Sequence, residues 1–168
     1  MTTAFHLAQF NVARLRAPLT DPSMSGFVAG LDTINALADS SPGFVWRLAE
    51  GPDGDATTVR PLDPDVIVTM SVWDSIESLR AFSYQSAHLD YLRRRRDWFR
   101  PHDFPASLVL WWIPASRLPT VTEACERLAL VAEGPSPEAF TFRQTFPAPE
   151  GTTHSDARRA HRSPAPFG

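Results

Sequence analysis

The chain opens on a segment in which apolar side chains fall on both sides of an extended backbone. Residues Phe5 to Leu15 (FHLAQFNVARL) read as a strand, stopped by Pro18 and by Asp21-Pro22. Asp21 is placed to cap a helix whose first turn accepts Pro22. Met24, Phe27, Val28, Leu31, Ile34 and Leu37 then recur at helical spacing until Ser40, Ser41, Pro42 and Gly43. Phe44 to Leu48 reads as a short strand, and residues 50–65 as a long hairpin connection in which Thr57 to Arg60 extends the ladder. Val66 to Trp73 (VIVTMSVW) is a β-branched, nearly continuous apolar strand. A capping box, Asp74-x-x-Glu77, starts the next helix, which continues or kinks near Ser86 and runs to Trp98-Phe99. Ser107 to Ile113 (SLVLWWI) is a further strand. A second box, Thr120-x-x-Glu123, opens a helix closed by Gly134-Pro135, and Phe140 to Phe146 forms a last extended piece.

The order strand, helix, strand, strand, helix, strand predicts an α+β domain of the split β-α-β, ferredoxin-like kind. An extra C-terminal helix and short strand follow it. One domain is expected over residues 1–146, and a flexible Pro- and Arg-rich tail over 147–168.

Alternate residues of a strand face opposite sides of its sheet. Val66, Val68, Met70 and Val72 share one side, with Ile67 and Trp73 on the other beside Thr69 and Ser71. The neighbours Trp111 and Trp112 must send one indole to each face. Both faces are therefore expected to be covered, and two helices cover only one. A second copy of the chain, pairing through the sheet face as a homodimer, is the expected cover for the other. The chain's own last helix and strand are the alternative.

Composition narrows the class of function. With 43% hydrophobic and 21% charged residues among 168, the chain is that of a globular protein. The net charge of −3 supplies no field for nucleic acid or an anionic membrane. No stretch of eighteen apolar residues and no leader-like N-terminal segment is present, so a cytoplasmic protein is expected. A single cysteine, Cys125, excludes an intrachain disulfide and a cysteine zinc cluster. There is no Gly-rich phosphate loop, H-E-x-x-H, G-x-S-x-G or C-x-x-C motif.

The segments HLAQFNVARLRAPLTDP, GFVAGLDTINALADSSPGFVWRL, SVWDSIESLRAFSYQSAH, RRRRDWF and LVLWWIPA resemble the bacterial family called domain of unknown function 3291. That family is similar to the antibiotic-biosynthesis-monooxygenase-like dimeric α+β barrels. The resemblance runs from about His6 to Phe146 and implies a cavity between the sheet and its helices. It implies no single chemistry, because such barrels include cofactor-free oxygenases, haem-degrading enzymes and isomerases.

The candidate site residues are polar or aromatic groups on elements expected to flank that cavity. Gln9 and Asn11 share a strand face with Phe5 and Leu7, where two amides can hold a carbonyl or hydroxyl; support of a strand end is their ordinary role. His88 shares a helical face with Tyr84 and Tyr91, and stands where the resemblance places a histidine. As a neutral imidazole it can serve as a base, or as a haem ligand. Trp46, Trp73, Phe82 and Trp112 are candidate walls for a flat ligand, and core packing is their commoner use. Arg47 requires an anionic partner in the protein or in a ligand. Arg93 to Arg96, beside Asp90 and Asp97, reads as a solvated helix face. The expected function is a cofactor-independent monooxygenase or isomerase/cyclase for a small aromatic or polyketide-like molecule, with His88 and Asn11 catalytic and no metal. A non-catalytic small-ligand module and a haem protein using His88 are the alternatives.

Overall fold

The computed structural model describes residues 4–101 and 103–150. Its five strands are β1 (Phe5–Leu15), β2 (Phe44–Arg47), β3 (Val66–Trp73), β4 (Phe99–Arg100) and β5 (Leu108–Pro114). Four helices accompany them: α1 (Ser25–Asp39), α2 (Ile76–Ser83), α3 (Ser86–Trp98) and α4 (Val121–Ala132). The sheet runs β2-β3-β1, with β5 and the two-residue β4 both on the remaining edge of β1, and all pairings are antiparallel. This is the split β-α-β, ferredoxin-like arrangement: β3 lies between the two strands that α1 connects.

Local chemistry sets the element ends. Asp21 accepts from the Ser23 N–H at 2.9 Å and opens a 3-10 turn (Pro22–Met24) ahead of α1. Gly43, with φ of 83°, turns the chain into β2; a Cβ there would meet Asp74 and Ser78. The cap of α2 is Ser75 rather than Asp74: the Ser75 hydroxyl accepts from the Ser78 N–H, while Asp74 accepts from the Ser75 and Ser78 hydroxyls. Thr120 caps α4 as expected, but the Glu123 carboxylate turns away from the cap to Arg117 and the Trp111 indole. The expected kink near Ser86 is a complete break between α2 and α3. Thr57 to Arg60 joins no ladder; the Asp55 carboxylate instead folds the connection by accepting from the Thr57 N–H and hydroxyl.

Both sheet faces are buried, and the second cover is the chain's own. Ala8, Phe10 and Val12 of β1, Val66 to Val72 of β3 at alternate positions, and Val109, Trp111 and Ile113 of β5 pack against Ala124, Leu128 and Val131 of α4. Leu48 and Ala56 of the β2–β3 connection complete that layer. Met70 is 2% exposed and Phe10 and Trp111 are fully buried, so this face of the sheet is sealed within the chain. The chain's own last helix, the alternative expectation, covers this face. Alternation reads which residues face which side, but the reach of a C-terminal helix is a tertiary fact. Beyond α4 the chain rounds the β5 edge, where Leu110 and Phe140 exchange backbone hydrogen bonds of 2.8 and 2.9 Å. The expected last strand is reduced to that bridge and a turn bridge between Thr141 and Gln144. The open edge of β5 is thereby blunted.

The opposite face lies under α1, α2 and α3, in two separate apolar clusters. Leu7, Trp73 and Leu110 pack with Ala38, Leu79, Phe82 and Phe140 at one end. Leu15 and Ile67 pack with Met24 and Trp98 at the other.

Candidate functional site

Between those two clusters the floor of the sheet is polar. The register sets Gln9 beside Ser71 and Asn11 beside Thr69, on the face that carries Leu7 and Trp73. Four polar side chains thus form a patch about 7 Å along the strands and about 5 Å across them. Thr69 is exposed although its neighbours Val68 and Met70 are each 2% exposed, and Gln9, Asn11 and Ser71 are half-buried. The helix-side face of a central strand is thus open to solvent at Thr69, and this opening with the polar residues around it is the candidate cleft.

The patch is internally ordered on one side and open on the other. The Trp73 indole N–H donates to the Ser71 hydroxyl at 2.9 Å, and that hydroxyl donates to Gln9 Oε1 at 2.8 Å. Among the described residues Gln9 Nε2 has no acceptor and is left as a donor pair. Among the described residues nothing hydrogen-bonds the Asn11 amide, and it is not sealed from solvent. Partly buried amides of this kind are satisfied by water or by a ligand.

Aromatic rings form the wall at the α2 end. Phe82 stacks on Trp73 with centroids 5.1 Å apart, Phe44 meets Trp73 edge-on, and His88 lies against Phe82 at 4.9 Å. His88 Nδ1 is 2.8 Å from the Ser83 carbonyl oxygen, so Nδ1 carries the proton and Nε2 presents its lone pair. Burial pushes the imidazole below its ordinary value of 6.5, against a smaller upward pull from the Ser83 carbonyl. His88 is therefore neutral at pH 7. The unfolded chain binds this proton more readily than the folded one, so stability declines as pH falls below about 6.5 and levels off once His88 charges in the folded state. Urea unfolding between pH 7 and 5 checks this: His88→Gln should flatten the decline.

The structure sorts the expected site residues. Gln9 and Asn11 share the sheet face of Trp73, Gln9 is linked to the Trp73 indole through Ser71, Phe82 stacks on Trp73, and His88 contacts Phe82. Trp112 is on the same face, half-buried, with its indole N–H donated to the Phe146 carbonyl at 2.9 Å. Trp46 is corrected to the other face, because a register shift in β2 sets it opposite Val72 and against the α4 layer. Tyr84, at the C-cap of α2, is 59% exposed and packs in neither cluster of this face. Arg47 lies on the helix-side face, held by Asp39 at 2.7 Å and the Gly54 carbonyl at 2.7 Å, so its anionic partner is internal. Thr69 and Ser71 belong to the floor and were absent from the expected set; as the two polar residues of β3 they carried a readable signal.

A shallow groove of 310 Å³ between Pro42 and Gln85 shares only Phe82 with this site. It contains no neutral base or open amide pair, and the cleft is the better candidate. Among the described residues no group of three metal-ligating side chains occurs, and no helix is long and apolar enough to cross a membrane. Arg93 and Arg94 are exposed and pair with Asp90 and Asp97, as a solvated face does.

A family model described as a domain of unknown function (DUF3291) matches residues 6–157. A search of curated proteins finds no match. Among solved structures, SnoaB, a cofactor-independent oxygenase from Streptomyces nogalater, is 14% identical over 70% of this chain and 98% of its own, with a TM-score of 0.45. Rv0793 from Mycobacterium tuberculosis is 17% identical over 69% of this chain and 98% of its own, with a TM-score of 0.44.

Proposed function

Because the chain belongs to the DUF3291 family, whose description names no activity, we propose its function from the cleft itself: a cofactor-independent enzyme of the monooxygenase or isomerase/cyclase kind, acting on a small aromatic or polyketide-like phenol or enol. The observation that carries this reading is the polar patch of Gln9, Asn11, Thr69 and Ser71, with Arg47 beside Ser71, set in a sheet face whose other residues are apolar and aromatic. The aromatic wall suits a flat ring, and the amides suit its oxygen atoms. His88 Nε2 accepts the proton from the phenol or enol, and the amide N–H groups of Asn11 and Gln9 hold the oxyanion that remains. Such an electron-rich anion either rearranges or reacts with dioxygen directly, so neither outcome calls for a cofactor.

The test is incubation of the purified protein with a panel of polycyclic phenols and enols, followed by oxygen-electrode and mass measurements. The reading expects a product that has gained oxygen or is isomeric with its substrate, and that Asn11→Ala forms far more slowly. Tight retention of the compound without product would instead make the chain a binding module. A haem absorption band that forms on reconstitution and is lost in His88→Ala would favour haem binding.

A further inference from the structure

The groove between Pro42 and Gln85 has a shape and a charge that the proposed reaction does not use. Pro42, Ala81 and Phe82 line it with apolar surface, and Glu77 and Gln85 mark its two ends on α2. Asp74 joins the Glu77 end through Ser78, a lining residue whose hydroxyl donates to it at 2.6 Å. Both carboxylates are exposed, and among the described residues neither has a cation as partner. Arg80, one turn beyond Glu77, lies over the Phe142 ring at 5.6 Å instead. An apolar groove headed by two unpaired carboxylates fits a basic segment that carries proline.

The course of the chain brings such a segment within reach. Beyond α4 it rounds the β5 edge, and the Phe146 carbonyl accepts from the Trp112 indole at 2.9 Å. From Trp112 the paired residues Leu7, Trp73 and Phe44 cross the sheet to the start of β2, next to Pro42. Three strand spacings separate the two points, about 15 Å. Passing round α2 adds about 10 Å. The twelve residues from Phe146 to Arg158 extend to about 40 Å. Residues 151–168 lie outside the described residues. Their sequence holds Arg158, Arg159 and Arg162 against one acidic residue, Asp156, and then runs Ser-Pro-Ala-Pro-Phe to Phe167.

We propose that the groove is the docking site of the chain's own segment Arg158–Phe167, with the arginines on Glu77 and Asp74 and the Pro-Ala-Pro-Phe run over Phe82. The lengths agree: α2 rises about 12 Å from Glu77 to Gln85, and a proline-rich chain covers that distance in about four residues, the separation of Arg162 from Pro166. Because the groove shares Phe82 with the cleft, the docked segment also backs the ring that stacks on Trp73. The proposal stands independently of the reaction proposed above.

Amide NMR of the full chain tests it from both sides, with substitutions that leave the core untouched. Changing Arg158, Arg159 and Arg162 together to Ser should shift the amides of Ser41, Ala81 and Gln85 and leave those of Ala124 and Leu128 on α4 in place. Glu77→Gln should in turn shift the amides of Ala160 and Ala165. High salt should move the same groove amides in the wild type, since exposed charges are screened, and dilution should move none of them. Groove amides unmoved by the arginine changes, or segment amides unmoved by Glu77→Gln, overturn the proposal. Groove shifts that fade on dilution overturn it too, by assigning the groove to a second copy's segment.

Discussion

Trp111→Ala is expected to destabilise the fold by about 3–5 kcal/mol, a far larger loss than Trp112→Ala, although the two indoles are adjacent in sequence. Trp111 is fully buried between β5 and α4 and donates its indole N–H to Glu123 at 3.2 Å. Glu123 is held in turn by Arg117 at 2.7 and 2.8 Å, and these hydrogen bonds keep its carboxyl below the usual range. Removing the indole opens a large cavity and leaves that carboxylate without one donor. Trp112 is half-buried on the other face and its removal opens onto the wall of the cleft. Urea unfolding at several protein concentrations measures both. The midpoint of Trp111→Ala should not depend on concentration, because α4 of the same chain covers this face. A midpoint that rises with concentration would mean that a second copy does.

For a phenol or enol substrate that the wild type converts, His88→Ala should lower turnover by about 10²–10⁴ without unfolding the chain. Among the described residues the ring hydrogen-bonds the Ser83 carbonyl and lies against Phe82, and its loss should leave the core intact. Since burial lowers the His88 pKa, the competent neutral form prevails at and above pH 7. The wild-type rate should fall only as pH drops below about 6.5, and the residual rate of His88→Ala should lack that limb. Asn11→Ala should cost about 10²–10³ through the loss of an oxyanion donor. Circular dichroism beside the rates separates chemistry from folding. Unchanged turnover in both variants would sink the assignment.

Much of the fold was legible because strand alternation and helical spacing are local. The segment VIVTMSVW carries its own face assignment, and Trp111 and Trp112 divide between the faces as their adjacency requires. What α4 does was not legible: its apolar stripe of Ala124, Leu128 and Val131 reads the same whether it packs on its own sheet or on another. Trp46 failed for a related reason, since one register shift in β2 moves every following side chain to the other face. Tyr84 shares helical spacing with His88 only if the helix is continuous, and the break before Ser86 removes that relation. Gln9 and Asn11 were legible as polar residues on an apolar strand. Their partners Thr69 and Ser71 needed the register between β1 and β3 to join them.

The central claim is that ligand binds over the Asn11–Gln9 floor, between the sheet and α1 to α3. Side-chain amide resonances of Asn11 and Gln9, followed by NMR during titration with 2-naphthol, test it most directly. The account predicts that both amide pairs shift and saturate together with the ring resonances of Trp73 and Phe82, while Trp46 and Trp111 on the α4 face stay in place. Saturable shifts confined to the α4 face, or to the groove at Pro42 and Gln85, with Asn11 and Gln9 unmoved, would contradict it.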